Sequence, residues 1–171
     1  MSETTIHQLG LGGGCHWCTE AIFLSLKGVK EVQQGWIASE APHARFSEAV
    51  IVHFDPTVIP VGILVAIHLF THSATSDHTM RQKYRSALYY FSPAEKPLLE
   101  QAMEAFTDLP LVTSILPFKA FKSSLPAHQN YYFNGPDKPF CQRYIHPKLE
   151  LLIQNFTDHV DLQKLKTSGL S

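Results

Sequence analysis

The chain is predicted to adopt an α+β fold, a ferredoxin-like α-β plait with an extra C-terminal strand and helix and an irregular C-terminal segment. Two observations lead there. Apolar residues make up 44% of 171 residues and are spread along the whole length, which suits one packed domain without a linker or repeat. The segments alternate between strand-like and helix-like periods in the order βαββαβαβα, and the first six form a strand-helix-strand-strand-helix-strand unit, an antiparallel sheet with helices on one side.

The elements follow in order. A first strand over roughly residues 5 to 11 runs into Gly12-Gly13-Gly14, a tight turn. A helix then starts at the cysteines, with Trp17, Ala21 and Leu24 at helical spacing and Gly28 as its stop. Val29 to Trp36 and Ala49 to Phe54 read as strands. The second places Val50, Val52 and Phe54 on one face, and on the other only His53 breaks the apolarity, so it sits at or near the centre of the sheet. Pro60 opens a helix over Val61 to Phe70 that is apolar almost all round and therefore buried. Ala87 to Phe91 is the next strand. Ser92-Pro93-Ala94-Glu95 has the form of a capping box for a helix using Leu99, Ala102, Met103 and Phe106, with Pro97 able to delay its start by a turn. Val112 to Leu116 is a further strand, a long irregular segment covers about Pro117 to Ile145, and Pro147 starts a last helix with Leu149, Leu152, Ile153 and Phe156 inward.

Composition excludes several function classes. With 14 basic and 15 acidic residues and no run of like charge, nothing tracks a phosphate backbone, so no nucleic-acid partner is expected. The first residues lack a basic region followed by an apolar core. No stretch approaches the ~20 apolar residues of a membrane helix, so a cytoplasmic protein, a monomer without a membrane partner, is expected. Three cysteines do not make a disulfide framework and start as thiols in a reducing compartment.

The chemistry-bearing candidates follow from residue type and place. A helix N-terminus favours a thiolate through its dipole and free N–H groups, and Cys15 stands where that help is available; the alternative is a structural cysteine after a tight turn. Cys15 and Cys18 form a C-x-x-C, either a redox pair or half of a metal site. No second close pair of Cys or His completes a zinc pattern, although Cys141 with His68, His72 or His78 supplies the residue types, so no metal or cofactor is expected. His68 and His72, four apart on the buried helix, read as hydrogen-bonded core or edge residues. Glu48, just before a central strand, is the carboxylate expected to be partly buried and so suited to proton donation; the alternative is a surface strand-start glutamate.

The string Gly12-Gly13-Gly14-Cys15-His16-Trp17-Cys18-Thr19-Glu20 resembles the Gly-Gly-Cys-Phe-Trp signature of the A-type peptide-methionine (S)-S-oxide reductases. Further blocks resemble that family in order: Gly35-Trp36, Ser47-Glu48-Ala49-Val50, Phe54-Asp55-Pro56, Lys83-Tyr84-Arg85-Ser86, His128-Gln129-Asn130-Tyr131-Tyr132 and Pro139-Phe140-Cys141. The resemblance implies thiol-dependent reduction of the S epimer of methionine sulfoxide, free or in proteins. In that reading Cys15 is the nucleophile, Glu48 the acid at the sulfoxide oxygen, Tyr84 a second donor to it, and Trp17 a wall of the methyl pocket. Cys15 ends as a sulfenic acid. Cys141 then condenses with it to a disulfide that a thioredoxin-type dithiol reduces. Cys18 is the rival for that step, ranked second because a disulfide within a helix is strained, whereas a mobile segment around Cys141 can swing toward Cys15.

Departures from the family pattern fall in the pocket. His16 replaces a phenylalanine and adds a polar edge, and Trp36 stands for a tyrosine and donates one hydrogen bond without delivering a proton as a phenol does. The segment between His72 and Tyr84 is short, with Asp77 the nearest carboxylate to the acid the family places there, and Leu125-Pro126-Ala127 replaces the acid before the His-Gln box. Two competing readings are a non-catalytic module that binds oxidised methionine and a general dithiol oxidoreductase using Cys15 and Cys18.

Overall fold

The computed structural model describes residues 6–72, 83–106 and 108–166. Six strands and five helices follow one another along these residues: β1 (Gln8–Gly12), α1 (His16–Leu24), β2 (Val29–Ala38), β3 (Ser47–Phe54), α2 (Val61–Thr71), β4 (Ala87–Tyr90), α3 (Lys96–Met103), β5 (Ser114–Pro117), β6 (Ala120–Ser123), α4 (His146–Phe156) and α5 (Leu162–Lys166). The strands form one sheet in the order β5-β4-β1-β3-β2-β6. Its middle, β4-β1-β3-β2, is antiparallel throughout and is the expected plait. β5 joins β4 in parallel, as a strand returning through a crossover helix, here α3, must.

The main core lies between one face of the sheet and the helices. Leu9 and Leu11 of β1, Val50, Val52 and Phe54 of β3, and Leu88 of β4 meet Ala21 and Ile22 of α1, Leu64, Val65 and Ile67 of α2, and Leu149 and Leu152 of α4. The opposite face carries a smaller cluster of Ile37, Ala49, Ile51, Ala87 and Tyr89, against which Phe91, Leu116, Phe118 and Phe121 pack. Only residues 118 and 119 separate β5 from β6, yet these strands are the two edges of the sheet. The Phe118 amide donates to Tyr90 O (2.8 Å) and the Lys119 amide to Ala38 O (3.0 Å), so at this end the sheet curls and brings its edges together over the second cluster. Arg85 closes the curl, donating to Tyr89 Oη (2.9 Å) and to Ile37 O (3.0 Å).

Several boundaries differ from the sequence reading for local reasons. β6 lies within the segment read as irregular: its four residues are half-buried or exposed, so no alternation marks them, and it exists because it pairs with the second half of β2. α5 is a further short helix that was not anticipated. On α1 the inward face is Cys18, Ala21 and Ile22, while Trp17 and Leu24 are half-buried. That helix ends at Ser25, and Gly28, with φ +87°, makes a later turn into β2. α2 is not buried all round, since Phe70 is exposed. The capping box at Ser92 and Glu95 is present, and the residues after it begin as a 3-10 turn, so the α-helix proper starts at Lys96.

Candidate active site

β1 ends at Gly12, and the two glycines that follow have different work. Gly13, at φ +151°, packs so tightly on His72 that a Cβ would come within 2.4 Å of the ring, whereas a Cβ on Gly14 would meet nothing within 4 Å. Cys15 is the N-cap of α1, with φ −59° and ψ 128°, and its carbonyl accepts from the amides of Cys18 and Thr19, both at 3.1 Å. Its side chain makes no capping hydrogen bond and is half-buried against the core. The Cys18 thiol hydrogen-bonds to it, and with the amides of Trp17 and Cys18 this holds the Cys15 thiol below its ordinary value of 9.0, against burial and the charge of Glu48. Cys18 shifts the other way, raised by that same hydrogen bond to Cys15 and by burial. Of the two thiols, Cys15 is therefore the easier to deprotonate and Cys18 the harder.

Glu48 lies near the start of β3, opposite Trp36 of β2, and is buried as expected. Its Oε1 accepts the His16 amide (3.2 Å) and lies 3.5 Å from His16 Nε2, while Oε2 lies 3.6 Å from Lys83 Nζ. The His16 ring is fixed by its Nδ1, 2.8 Å from Gly35 O, and stands edge-on to Trp36 at 5.1 Å. A carbonyl only accepts, so Nδ1 carries a proton and Nε2 faces the carboxylate. Burial pushes the His16 pKa below 6.5, against the Gly35 bond and the charge of Glu48. Tyr84 is half-buried beside Lys83, whose Nζ is 5.1 Å from its ring. Ser47 Oγ ties this loop to β3, donating to Lys83 O (2.9 Å) and accepting from the Arg85 amide (2.7 Å).

An aromatic wall flanks the thiol. Trp17 stacks on Tyr131 with centroids 3.9 Å apart and planes 6° apart, and Phe140 and His128 meet it edge-on at 5.3 and 5.8 Å. The Trp17 indole N–H is buried and has no hydrogen-bond partner among the described residues. The strap that carries Tyr131 is anchored by Glu20, whose Oε1 accepts from the Tyr131 amide (3.1 Å) and Gln34 Nε2 (2.8 Å) and whose Oε2 accepts from the Asn130 amide (2.8 Å). Burial raises the Glu20 pKa despite these three bonds. Gln34 also donates to His128 O (2.9 Å), and Gln129 Nε2 donates to Gln34 O (2.8 Å). The role of Glu20 was missed by sequence reading because its partners lie up to 111 residues away.

The structure thus brings Cys15, Cys18, His16, Trp17, Trp36, Glu48 and Tyr84 to one end of the sheet, around the α1 N-terminus. His68 and His72 serve packing: His68 Nε2 bonds Gly12 O (2.6 Å), and His72 bonds Ser86 Oγ (2.7 Å) and the His68 carbonyl. Cys141 is fully buried and stands in a π-helical turn, Cys141–Ile145, that runs into α4, rather than on the irregular segment expected. Burial raises its thiol pKa. Asp77 and His78 lie outside the described residues.

A protein-family model described as peptide methionine sulfoxide reductase matches residues 7–160. The peptide methionine sulfoxide reductase MsrA of Thermus thermophilus is 35% identical over 157 residues, covering 82% of this chain and 89% of that one. Among solved structures, Mxr1 from Saccharomyces cerevisiae in reduced form shares the fold with TM-score 0.68 at 23% identity, over 78% of this chain and 88% of that one. Mxr1 in complex with Trx2 is also similar, with TM-score 0.57 at 23% identity over 72% and 83% of the two chains.

Proposed function

The chain belongs to the peptide methionine sulfoxide reductase family and is a thiol-dependent oxidoreductase of methionine sulfoxide; from that premise we propose that Cys15 is its nucleophile and the S epimer its substrate. The observation that carries this reading is a thiol at a helix N-cap, held toward the thiolate by Cys18 and two amides, next to a buried carboxylate. The Cys15 thiolate attacks the sulfoxide sulfur. Glu48 and Tyr84 hydrogen-bond the oxygen and supply one proton to it; the oxygen passes as hydroxyl to the Cys15 sulfur while the substrate sulfur–oxygen bond and the transient sulfur–sulfur bond break, so methionine leaves and Cys15 becomes a sulfenic acid. Trp17 forms the wall for the substrate methyl group, with His16 and Trp36 at its edge. A second cysteine of the chain, Cys18 or Cys141, clears the sulfenic acid as an intramolecular disulfide.

The same reading places the reaction in one catalytic domain and a reducing, cytoplasmic compartment, with a thioredoxin-type dithiol to reopen the disulfide. The complex of Mxr1 with Trx2 supports that choice of reductant, and no helix among the described residues is long and apolar enough to cross a membrane. Glu48→Gln tests the acid role. Loss of a general acid costs about 10²–10⁴-fold, so methionine release in the first turnover falls by at least the lower figure while Cys15 still reacts with an alkylating agent. A first turnover at the wild-type rate would remove Glu48 from the mechanism.

A further inference from the structure

We propose that His16 is the positioning residue of the acid: its Nε2 and Glu48 Oε1 hold one proton between them, and this is the proton that passes to the sulfoxide oxygen. The proposal rests on Glu48 being the acid. Both side chains are buried, His16 in the first turn of α1 and Glu48 near the start of β3. The ring is held in place, because Nδ1–H donates to Gly35 O (2.8 Å) in β2 and Trp36 stands edge-on beside it. With that proton committed, Nε2 points a lone pair at Oε1 from 3.5 Å. A bare lone pair facing an anionic oxygen in a buried site is repulsive, whereas a proton between them makes an O–H···N hydrogen bond. The torsion that carries the Glu48 carboxyl is soft, so a small rotation brings the two atoms from contact to hydrogen-bond distance.

Other neighbours of the carboxyl pull the opposite way. The His16 amide donates to Oε1 (3.2 Å) and the Lys83 ammonium lies 3.6 Å from Oε2, and both favour the carboxylate anion. His128 of the strap and the Cys15 thiol also lie around the pair, and Tyr84 stands beside Lys83. Burial disfavours the imidazolium, so the shared proton rests on the carboxyl rather than on the ring. The imidazole thus keeps in place a proton that Lys83 and the amide would otherwise help to expel. In the reaction the Cys15 thiolate, the sulfoxide and this one proton give methionine and the sulfenic acid. The pair is left as carboxylate and neutral imidazole, and solvent returns a proton before the next turnover. A phenylalanine in place of His16 has no atom that can accept from the carboxyl.

The test is the first turnover of the S epimer, measured as methionine release from fully reduced protein across pH for wild type and His16→Phe. Alkylation of Cys15 over the same range accounts for the thiolate. Both proteins are expected to release methionine at similar rates at low pH, where the carboxyl holds its proton unaided. On the alkaline side the variant is expected to fall off about one pH unit earlier, which makes it about tenfold slower at a pH above both midpoints. Infrared difference spectra of wild type give a second readout, which decides alone should His16→Phe not fold. The carboxylic-acid band that Glu48→Gln removes is expected to persist at the pH of maximal first turnover. Coincident alkaline limbs, a loss in His16→Phe that is the same at every pH, or a Glu48 carboxylate band at that pH would overturn the proposal. Glu48→Gln with wild-type first turnover would instead remove the reading on which it rests.

Discussion

Replacing Glu20 by alanine isolates the contribution of the strap to the substrate pocket. Its carboxylate accepts three N–H groups, from Gln34, Asn130 and Tyr131, and the deletion leaves all three without that acceptor. A buried donor stripped of its partner costs about 1–3 kcal/mol. Asn130 is exposed and Tyr131 half-buried, so water takes over part of their bonding, and Gln34 keeps its bond to His128 O. Removing a carboxylate that burial opposes offsets a further part. The net loss works out at about 2–4 kcal/mol, which for a domain of this size lowers Tm by roughly 5–12 °C. The kinetic consequence is more specific: Tyr131 loses its seat against Trp17, so KM rises several-fold while Cys15 alkylation in the free enzyme keeps its rate. Thermal unfolding by circular dichroism and steady-state kinetics measure the two effects. Wild-type Tm and KM in Glu20→Ala would refute the anchoring argument. Glu20→Gln adds a check on sign: because burial raises the Glu20 pKa above 4.5, wild type gives up stability as pH rises from that value through the folded-state pKa, and the glutamine variant is flat there.

Three other outcomes follow from the same geometry. The pH profile of iodoacetamide reaction at Cys15 has its midpoint below 9.0, and Cys18→Ala moves it upward because the largest cause of the shift is gone; an unmoved midpoint would contradict the thiol–thiol hydrogen bond. His16 has its pKa lowered by burial, so the folded protein resists a proton that the unfolded chain binds, and stability falls as pH drops below about 6.5; His16→Phe, followed by urea unfolding across that range, loses this component, and an unchanged slope would show that His16 titrates normally. Gly35→Ala places a Cβ 2.1 Å from Lys122 O and 2.8 Å from the Phe121 ring, which forces β6 off β2 at a cost of about 1–3 kcal/mol; a neutral effect on the denaturation midpoint would mean the β2–β6 pairing is looser than described.

What the sequence made legible is what is local. The glycine turn, the cysteines at a helix start and the capping box at Ser92 are set by neighbours three or four residues apart, and the interior place of β3 shows in its own run of apolar residues. The candidate site was read by matching short blocks, and the fold brings Cys15, Glu48 and Tyr84 to one end because β1, β3 and the entry to β4 are adjacent in the sheet. What stayed hidden depends on contacts across long stretches of chain. Glu20 looks like any polar residue on a helix until the strap closes on it, and β6 has no pattern of its own apart from its pairing with β2. The N-cap geometry of Cys15 is a matter of one ψ angle, which spacing within a C-x-x-C does not reveal.

The central claim is tested most directly by measuring methionine formed from each sulfoxide epimer by wild type and Cys15→Ser, with dithiothreitol or a thioredoxin system as reductant. Turnover of the S epimer that disappears in the variant is the predicted result; S-epimer turnover that survives in Cys15→Ser, or turnover of the R epimer alone, would contradict it.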